Sequence, residues 1–341
     1  MRVRTDLAVT GVATWIPESV AATDDAVAAG RIDAESASDL GVRELPEAGL
    51  APPDMAVLAA RRALGSAGVD VGAVGLLLHA WIYHQGHDLW SAPHYVAREL
   101  GLTAAVPVGL QQICNGGAAG IEMAAARLMV EPELGHALVT TADRFAEPGF
   151  DRWSGDYGIA YGDGATALVL RQRRDEPAPL VLRAVRTVAA VDLESMHRGE
   201  DLFSPAPRWH SPSVDIRRTK KAFLRQHGIG GFAAVSREKI HDVLGGSLRD
   251  AGIAPDDPCL RYVALPRLGR KVLREAYVPA VAEVTPAEPL DLASTTGHLG
   301  AGDVAANLAD VAARLAPGEA AVLLSAGAGF TWSSVVLHRL G

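Results

Sequence analysis

Two residues in this chain have types and settings suited to chemistry. Cys114 stands in QQICNGGAAG, after the strand-like VPVGLQQ (106–112) and before an Ala-rich helical stretch at 118–130. A thiol at a helix N-terminus feels the positive end of the helix dipole and unpaired N–H groups, and both favour thiolate. Gly116 and Gly117 are poor helix formers, and their presence implies close backbone access at that point. His298 stands in TTGHLGAGD, a glycine-rich loop ahead of a further helical stretch at 303–316. A neutral imidazole beside a thiol takes its proton, then serves as general base toward an incoming hydroxyl or amine. Asp303 is the nearest carboxylate. It either orients the ring, completing a Cys-His-Asp set, or caps the helix that starts at Val304. The turn SAGAGF (325–330) offers N–H groups, and those of Gly329 and Cys114 are the expected oxyanion donors. Cys259, after a Pro-Asp-Asp-Pro turn, reads as core.

An internal repeat is what pairs positions so far apart in the chain. Ala67-Gly68-Val69 is echoed by Ala251-Gly252-Ile253, and ALVTTAD (137–143) by AVLLSAG (321–327), both at an offset of 184 residues. The same offset carries Cys114 onto His298 and Gly116 onto Gly300. Each copy then has a glycine-rich turn and a last apolar strand, GDGATALVL (162–170) and GAGFTWSSVVL (327–337). For the GDGA turn (162–165) a purely structural role is expected. Short β-branched and aliphatic runs alternate with helical stretches at 54–67, 118–130, 237–251 and 303–316, the pattern of parallel strands covered by helices. The expectation is an α/β protein of two pseudo-twofold halves, 1–172 carrying Cys114 and 173–341 carrying His298. The segment RRDEPAPL (173–180) links them, and the site lies at their seam.

Composition narrows the function classes. With 341 residues, 49% apolar and 21% charged, the chain is a folded globular protein of two domains or one large double one. Only 5% is aromatic, so Ala, Val and Leu must build the core. A net charge of −8 disfavours nucleic-acid binding, which draws its affinity from phosphate neutralisation. Two cysteines exclude a disulfide framework, no stretch reaches about 18 apolar residues, and no signal peptide opens the chain. A cytoplasmic protein without membrane contact is expected. In WIYHQGHDLWSAPH (81–94), His84, His87 and His94 have no cysteine beside them and no helix beneath them, so no metal is expected. A substrate-pocket or dimer-interface loop holding His84, His87, Leu89 and Trp90 fits better. Two basic clusters interrupt the acidic background: Arg217, Arg218, Lys220, Lys221 and Arg225, then Arg267, Arg270, Lys271 and Arg274. They form solvated helix faces or steer an acidic partner or a phosphorylated cofactor.

Over nearly its whole length the chain resembles the β-ketoacyl-ACP synthase III group of thiolase-fold condensing enzymes. TGVATWIPES is similar to that group's first strand and loop, and APPDMAVLAARRALGSAGVD to its first long helix. The cysteine segment, YGDGATALVL and AGAGFTWSSVVL are similar to further group motifs. The resemblance implies a five-layered αβαβα fold, a homodimer, an acyl-cysteine at Cys114 and an oxyanion hole from Cys114 and Gly329. No bound cofactor is expected. The donor would carry phosphopantetheine, as an acyl carrier protein or CoA, with Arg217, Arg218, Arg267, Arg270 and Arg274 as its contacts. Two departures stand out. The group's His-Gln-Ala-Asn stretch is matched by VALPRLGRK, with Leu265 in the histidine's place, and its second active-site asparagine falls on His298. Decarboxylative condensation therefore loses a donor, and a set for plain acyl transfer remains. The chain resembles the divergent acyltransferase branch of antibiotic pathways that moves 6-methylsalicylyl, orsellinyl or malonyl groups. The acceptor implied is a hydroxyl on a sugar, aminocyclitol or macrolide. The alternatives are a true condensing enzyme and a silent carrier-binding partner subunit.

Overall fold

The computed structural model of the protein describes residues 1–173 and 179–341. The central part of the expected linker, 174–178, lies outside the described residues.

Ten strands form the framework. In the first half they are β1 (Arg2–Trp15), β2 (Val74–Ala80), β3 (Val106–Leu110), β4 (His136–Asp143) and β5 (Gly164–Gln172). In the second half they are β6 (Leu180–Ala189), β7 (Leu260–Ala264), β8 (Glu288–Leu290), β9 (Ala320–Gly327) and β10 (Thr331–Arg339). They hydrogen-bond in the order β8-β7-β9-β10-β6-β1-β5-β4-β2-β3. Read outward from the β1·β6 junction, each half therefore repeats one sequence of strands. The pairings match as well: β2 is parallel to β3 and β4, as β7 is to β8 and β9, while the remaining contacts are antiparallel.

Four of the helices that cover these strands are α1 (Pro52–Ala67), α2 (Gly116–Val130), α3 (Ile216–Ala251) and α4 (Asp303–Ala312). Successive strand residues face opposite sides, so a strand buried on both sides must be apolar throughout. Leu78, Val139, Leu168, Leu323 and Val335 join Ile121 and Leu128 of α2 and Val304 and Leu308 of α4 in one central core. Their neighbours Leu77, Leu138 and Val169 turn outward to Met55 and Leu64 of α1. On the other side Val322 and Val336 meet Ile240, Val243 and Leu248 of α3. The layers run α1, first-half strands, α2 with α4, second-half strands, α3, which is the five-layered arrangement expected.

Two helices differ from their sequence reading. The stretch expected at 237–251 is the second part of α3, which begins at Ile216 under an Asp215 cap and kinks at Gly228, where φ is 67°. The one expected at 303–316 ends at Ala312, and Pro317 and Gly318 (φ 85°) then turn the chain into β9. Glycine is required where the two central helices meet. A Cβ on Gly117 would lie 2.4 Å from the carbonyl oxygen of Ala301. That approach sets the start of α2 against the loop leading into α4.

Candidate active site

The chain leaves β3 and reverses sharply before α2. Ile113 takes a left-handed φ of 48°, Asn115 N–H donates to Gln112 O at 3.1 Å, and Gly116 N–H donates to Ile113 O at 3.0 Å. Cys114 is carried half-buried on that turn, just ahead of the first helical residue. Asn115 is fully buried and braces the turn from behind, its Nδ2 donating to Gln112 Oε1 at 2.7 Å and to Ser333 Oγ at 2.8 Å. Gly327, at the end of β9, presses against the same turn, since a Cβ there would meet Asn115 N at 2.7 Å. This places the 327–330 turn beside Cys114. Phe330 N–H is already committed to Ala190 O at 3.1 Å, and Gly329, the expected oxyanion donor, stands just before it with a φ of 133°.

His298 is buried at the equivalent turn of the second half. Its backbone is gripped by the turn after Ala160: His298 N–H donates to Ala160 O at 2.8 Å, and Gly162 N–H donates to His298 O at 3.0 Å. The GDGA turn thus clamps His298. On the ring, Nδ1–H donates to Asp303 Oδ2 at 2.6 Å. Nε2 is buried without a hydrogen bond of good geometry. Cys114 nonetheless lies close enough to act on the charge of the ring. Burial works against an imidazolium here, but the Asp303 carboxylate and then the Cys114 thiolate overcome it and hold the His298 pKa well above the usual histidine range.

Asp303 does not cap its helix. Gly302 occupies the N-cap position, and the carboxylate turns back, accepting Leu299 N–H at 2.8 Å and Arg267 N–H at 2.9 Å besides the imidazole. Of the two readings of this residue, the geometry is that of a ring-holding carboxylate.

Arg267 corrects the sequence reading. It is buried, its guanidinium reaching Asn307 Oδ1, Leu292 O, Thr296 Oγ1 and Asp310 Oδ2 at 2.5–2.9 Å, so it cannot be a surface contact for a carrier. Arg270 is half-buried and donates to Gly41 O, whereas Arg274 is exposed. Arg217 stacks on Tyr157 and donates to Asp156 O, and Arg218 forks onto Asp201. Leu265 is buried and apolar at the end of β7. In the 81–90 loop, His84, His87, Leu89 and Trp90 are all exposed, Leu89 with a φ of 49°. That loop is tied to the histidine loop through buried Asp143, which accepts Ile82 and Tyr83 N–H (2.9 Å each) on Oδ1 and Ala301 N–H (3.0 Å) on Oδ2. Burial pushes the Asp143 carboxyl up to about 7, against those three N–H groups and His298. Among the described residues no three His, Cys, Asp or Glu side chains gather into a metal-binding set.

Sequence reasoning missed the residues packed behind the histidine. Tyr161 sets its ring edge-on to the imidazole at 5.2 Å and donates its hydroxyl proton to Asp156 at 3.2 Å, and Lys220 pairs with Asp156 at 2.5 Å. Burial, then Asp156 and Cys114, raise the Tyr161 pKa well above the usual phenol range, so it stays protonated. Tyr161 immediately precedes the GDGA turn, and that adjacency was the available signal.

Comparison with known proteins bears on this arrangement. The family model for 3-oxoacyl-[acyl-carrier-protein] synthase III matches residues 109–187, the stretch with Cys114 and the clamping turn. Beta-ketoacyl-[acyl-carrier-protein] synthase III 2 of Streptomyces coelicolor is 28% identical, the match covering 98% of this chain and 94% of that one. The solved structure of the acyltransferase ChlB3 is 31% identical and superposes with a TM-score of 0.87, covering 98% of both chains. The chain belongs to the synthase III-like family. Within that family the thiolase-like fold extends to the synthase III of Pseudomonas aeruginosa PAO1, with a TM-score of 0.77 over 98% of this chain and 99% of that one at 24% identity. The named synthase III-like relatives are thus synthases and an acyltransferase. Among the described residues no helix is long and apolar enough to cross a membrane.

Proposed function

We propose that this synthase III-like protein is an acyltransferase working by a ping-pong mechanism, without decarboxylation. The Cys114 thiolate attacks the carbonyl of an acyl thioester carried on phosphopantetheine, either an acyl carrier protein or CoA. The N–H groups of Cys114 and Gly329 hold the tetrahedral oxyanion until the thiol leaves. Acylation removes the negative charge from Cys114, and with it one of the two groups that keep His298 protonated. His298 then loses its proton more readily, becoming a base when an acceptor hydroxyl needs one. Asp303 holds the imidazole by Nδ1, which leaves Nε2 as the nitrogen free to take the acceptor's proton. The acceptor is a small hydroxylated molecule in secondary-metabolite biosynthesis, the working unit is a cytoplasmic homodimer, and exposed loop 81–90 lies in the pocket or dimer interface.

The observation that carries this reading is the pairing of His298 with Asp303, taken with the buried, apolar Leu265 that stands where the resemblance puts a histidine. A malonyl thioester decarboxylates only if donors stabilise its enolate, and leucine donates nothing. Losing one donor of the oxyanion type costs about 10²–10³ in rate. The test is intact-protein mass after incubation with a panel of acyl thioesters, followed by isotopically labelled malonyl donor with acceptor. An acyl adduct that is lost in Cys114→Ala, and malonate transferred whole, are the expected results. Stoichiometric carbon dioxide with a new carbon–carbon bond would restore the condensing enzyme, and absence of any adduct would make the protein a silent partner.

A further inference from the structure

Behind Cys114 lies a set of polar side chains that the acyl-transfer steps do not use. Asn115, the next residue, is fully buried, and its two Nδ2 protons go to Gln112 Oε1 at 2.7 Å and Ser333 Oγ at 2.8 Å. Ser333 stands on β10 directly opposite Thr187 of β6, and their hydroxyl oxygens are 2.8 Å apart. Thr187 donates in turn to Glu122 Oε2 at 2.6 Å. Glu122 follows Asn115 by two helical turns, on the same side of α2. Both ends of the set therefore stand on α2, in the first half, and its middle stands on two strands of the second.

Counting protons gives these hydrogen bonds a single direction. The Glu122 carboxylate only accepts, and Thr187 has one hydroxyl proton, which it spends there. The proton between Thr187 and Ser333 must then be that of Ser333. Ser333 is left able only to accept from Asn115, so the amide must present Nδ2 to it and not Oδ1. Oδ1 is accordingly buried with no hydrogen-bond partner. Leaving a buried acceptor unpaired costs stability, so the run of bonds outweighs what the amide would gain by turning over. Hydrogen bonds that run one way polarise one another, and this run ends on a full charge.

We propose that Asn115 is a positioning residue for Cys114, held through Ser333 and Thr187 by the Glu122 carboxylate. The run of bonds pins the first turn of α2 to β6 and β10, and so fixes where the adjoining Cys114 Sγ and N–H stand relative to His298. Its use in acylation rests on the acyl-transfer reading above, whereas the placement of Cys114 against His298 does not.

Thr187→Val breaks the run at a half-buried strand position two side chains away from Asn115 and keeps the size of the residue. Ser333→Ala removes the next link, and Thr187→Ser keeps the hydroxyl. NMR titration of the His298 imidazole C–H, assigned by its loss in His298→Ala, reads the placement of the thiolate. Asp303, Cys114, Asp143 and Tyr161 face that ring, and of these only Cys114 rides on the turn ahead of α2. The Cys114 thiolate helps to hold the His298 pKa up, so Thr187→Val and Ser333→Ala should lower it and Thr187→Ser should not. In a Cys114→Ala background, Thr187→Val should change nothing further. Acylation by a thioester, followed by intact mass, should slow by up to about 10²-fold in maximal rate in Thr187→Val and Ser333→Ala, as small misplacements of reacting groups do. Half-saturating thioester should stay where it is. Should Ser333→Ala fail to fold, Thr187→Val decides alone. An unmoved or raised titration in Thr187→Val, a shift that persists without Cys114, acylation at the wild-type rate, or Thr187→Ser behaving as Thr187→Val would each overturn the assignment. If no thioester acylates wild-type Cys114, the acyl-transfer reading fails, and the titration still decides the role of Asn115.

Discussion

Replacing Asp303 by Asn changes one atom and tests the reasoning at its centre. The carboxylate accepts three hydrogen bonds, Leu299 N–H on Oδ1, and Arg267 N–H and His298 Nδ1–H on Oδ2. An amide offers one acceptor oxygen and one donating nitrogen. With its oxygen at the Oδ2 position it keeps two bonds, and its NH₂ confronts the Leu299 N–H. With its oxygen at Oδ1 it keeps Leu299 but confronts Arg267, and it can then bond the imidazole only if Nδ1 gives up its proton, leaving Nε2 protonated and useless as a base. Either way one buried donor faces another, which costs about 1–3 kcal/mol of stability. In the serine-protease triad, the same replacement lowers turnover about 10⁴-fold through the wrong tautomer. Here both orientations keep two bonds, so a mixture is expected and a loss of about 10²–10⁴-fold in the deacylation step. Removing the first of the charges that raise the His298 pKa must also lower it, so the ring loses its proton at lower pH than in the wild type. Intact mass gives the acyl-Cys114 lifetime with acceptor present, urea unfolding the stability, and NMR titration of the imidazole C–H the direction of the pKa change. Transfer within about threefold of wild type, less than 1 kcal/mol of transition-state energy, would refute the orienting role.

Other consequences can be checked in parallel. His298→Ala should still accept an acyl group on Cys114 but slow acceptor transfer by about 10²–10⁴-fold, as loss of a general base does, and an unimpaired second step would remove that role. Buried His79 is held down to about 4 from 6.5 by burial, opposed by Gln85, so the folded ring refuses a proton that the unfolded chain accepts. Stability should therefore fall as pH drops from about 6.5 toward 4, at up to about 1.4 kcal/mol per pH unit, and His79→Gln should flatten that slope in urea titrations. With Arg267 buried, carrier docking falls to the exposed cations: Lys221→Glu, Arg225→Glu and Arg274→Glu combined should raise KM for a carrier-bound donor and spare a small N-acetylcysteamine thioester. Equal effects on both donors would leave these residues a solvated face.

Cys114 and His298 were legible because the repeat has a fixed length, so arithmetic alone brought equivalent turns together. The strand runs were legible because burial on both sides forces unbroken apolar stretches such as Leu76–Leu78. Other features depended on contacts that no local pattern encodes. The first part of α3 was hidden because Gly228, Gly230 and Gly231 interrupt its helical signal. The two readings of Asp303 differ only in which way its carboxylate turns. Arg267 sits in a run of basic residues that reads as surface, yet the chain folds it inward onto Asn307 and Asp310. Asp156 and Tyr161 come from the connection at 144–163 and Lys220 from α3, and only tertiary packing makes them a wall behind His298.

The β1·β6 junction and the central layer shared by α2 and α4 also bear on how the chain reaches its native state. Each half builds one side of the core around Ile121, Leu128, Val304 and Leu308, so neither side is finished until the other arrives. The contacts that finish it, Asn115 with Ser333, Gly117 with Ala301 and Tyr161 with His298, join residues more than 130 positions apart. Loops of that length make such pairings late and slow. During refolding, secondary structure should be regained well before Cys114 can be acylated. Half-assembled chains, with apolar helix faces still bare, are then the species most exposed to aggregation.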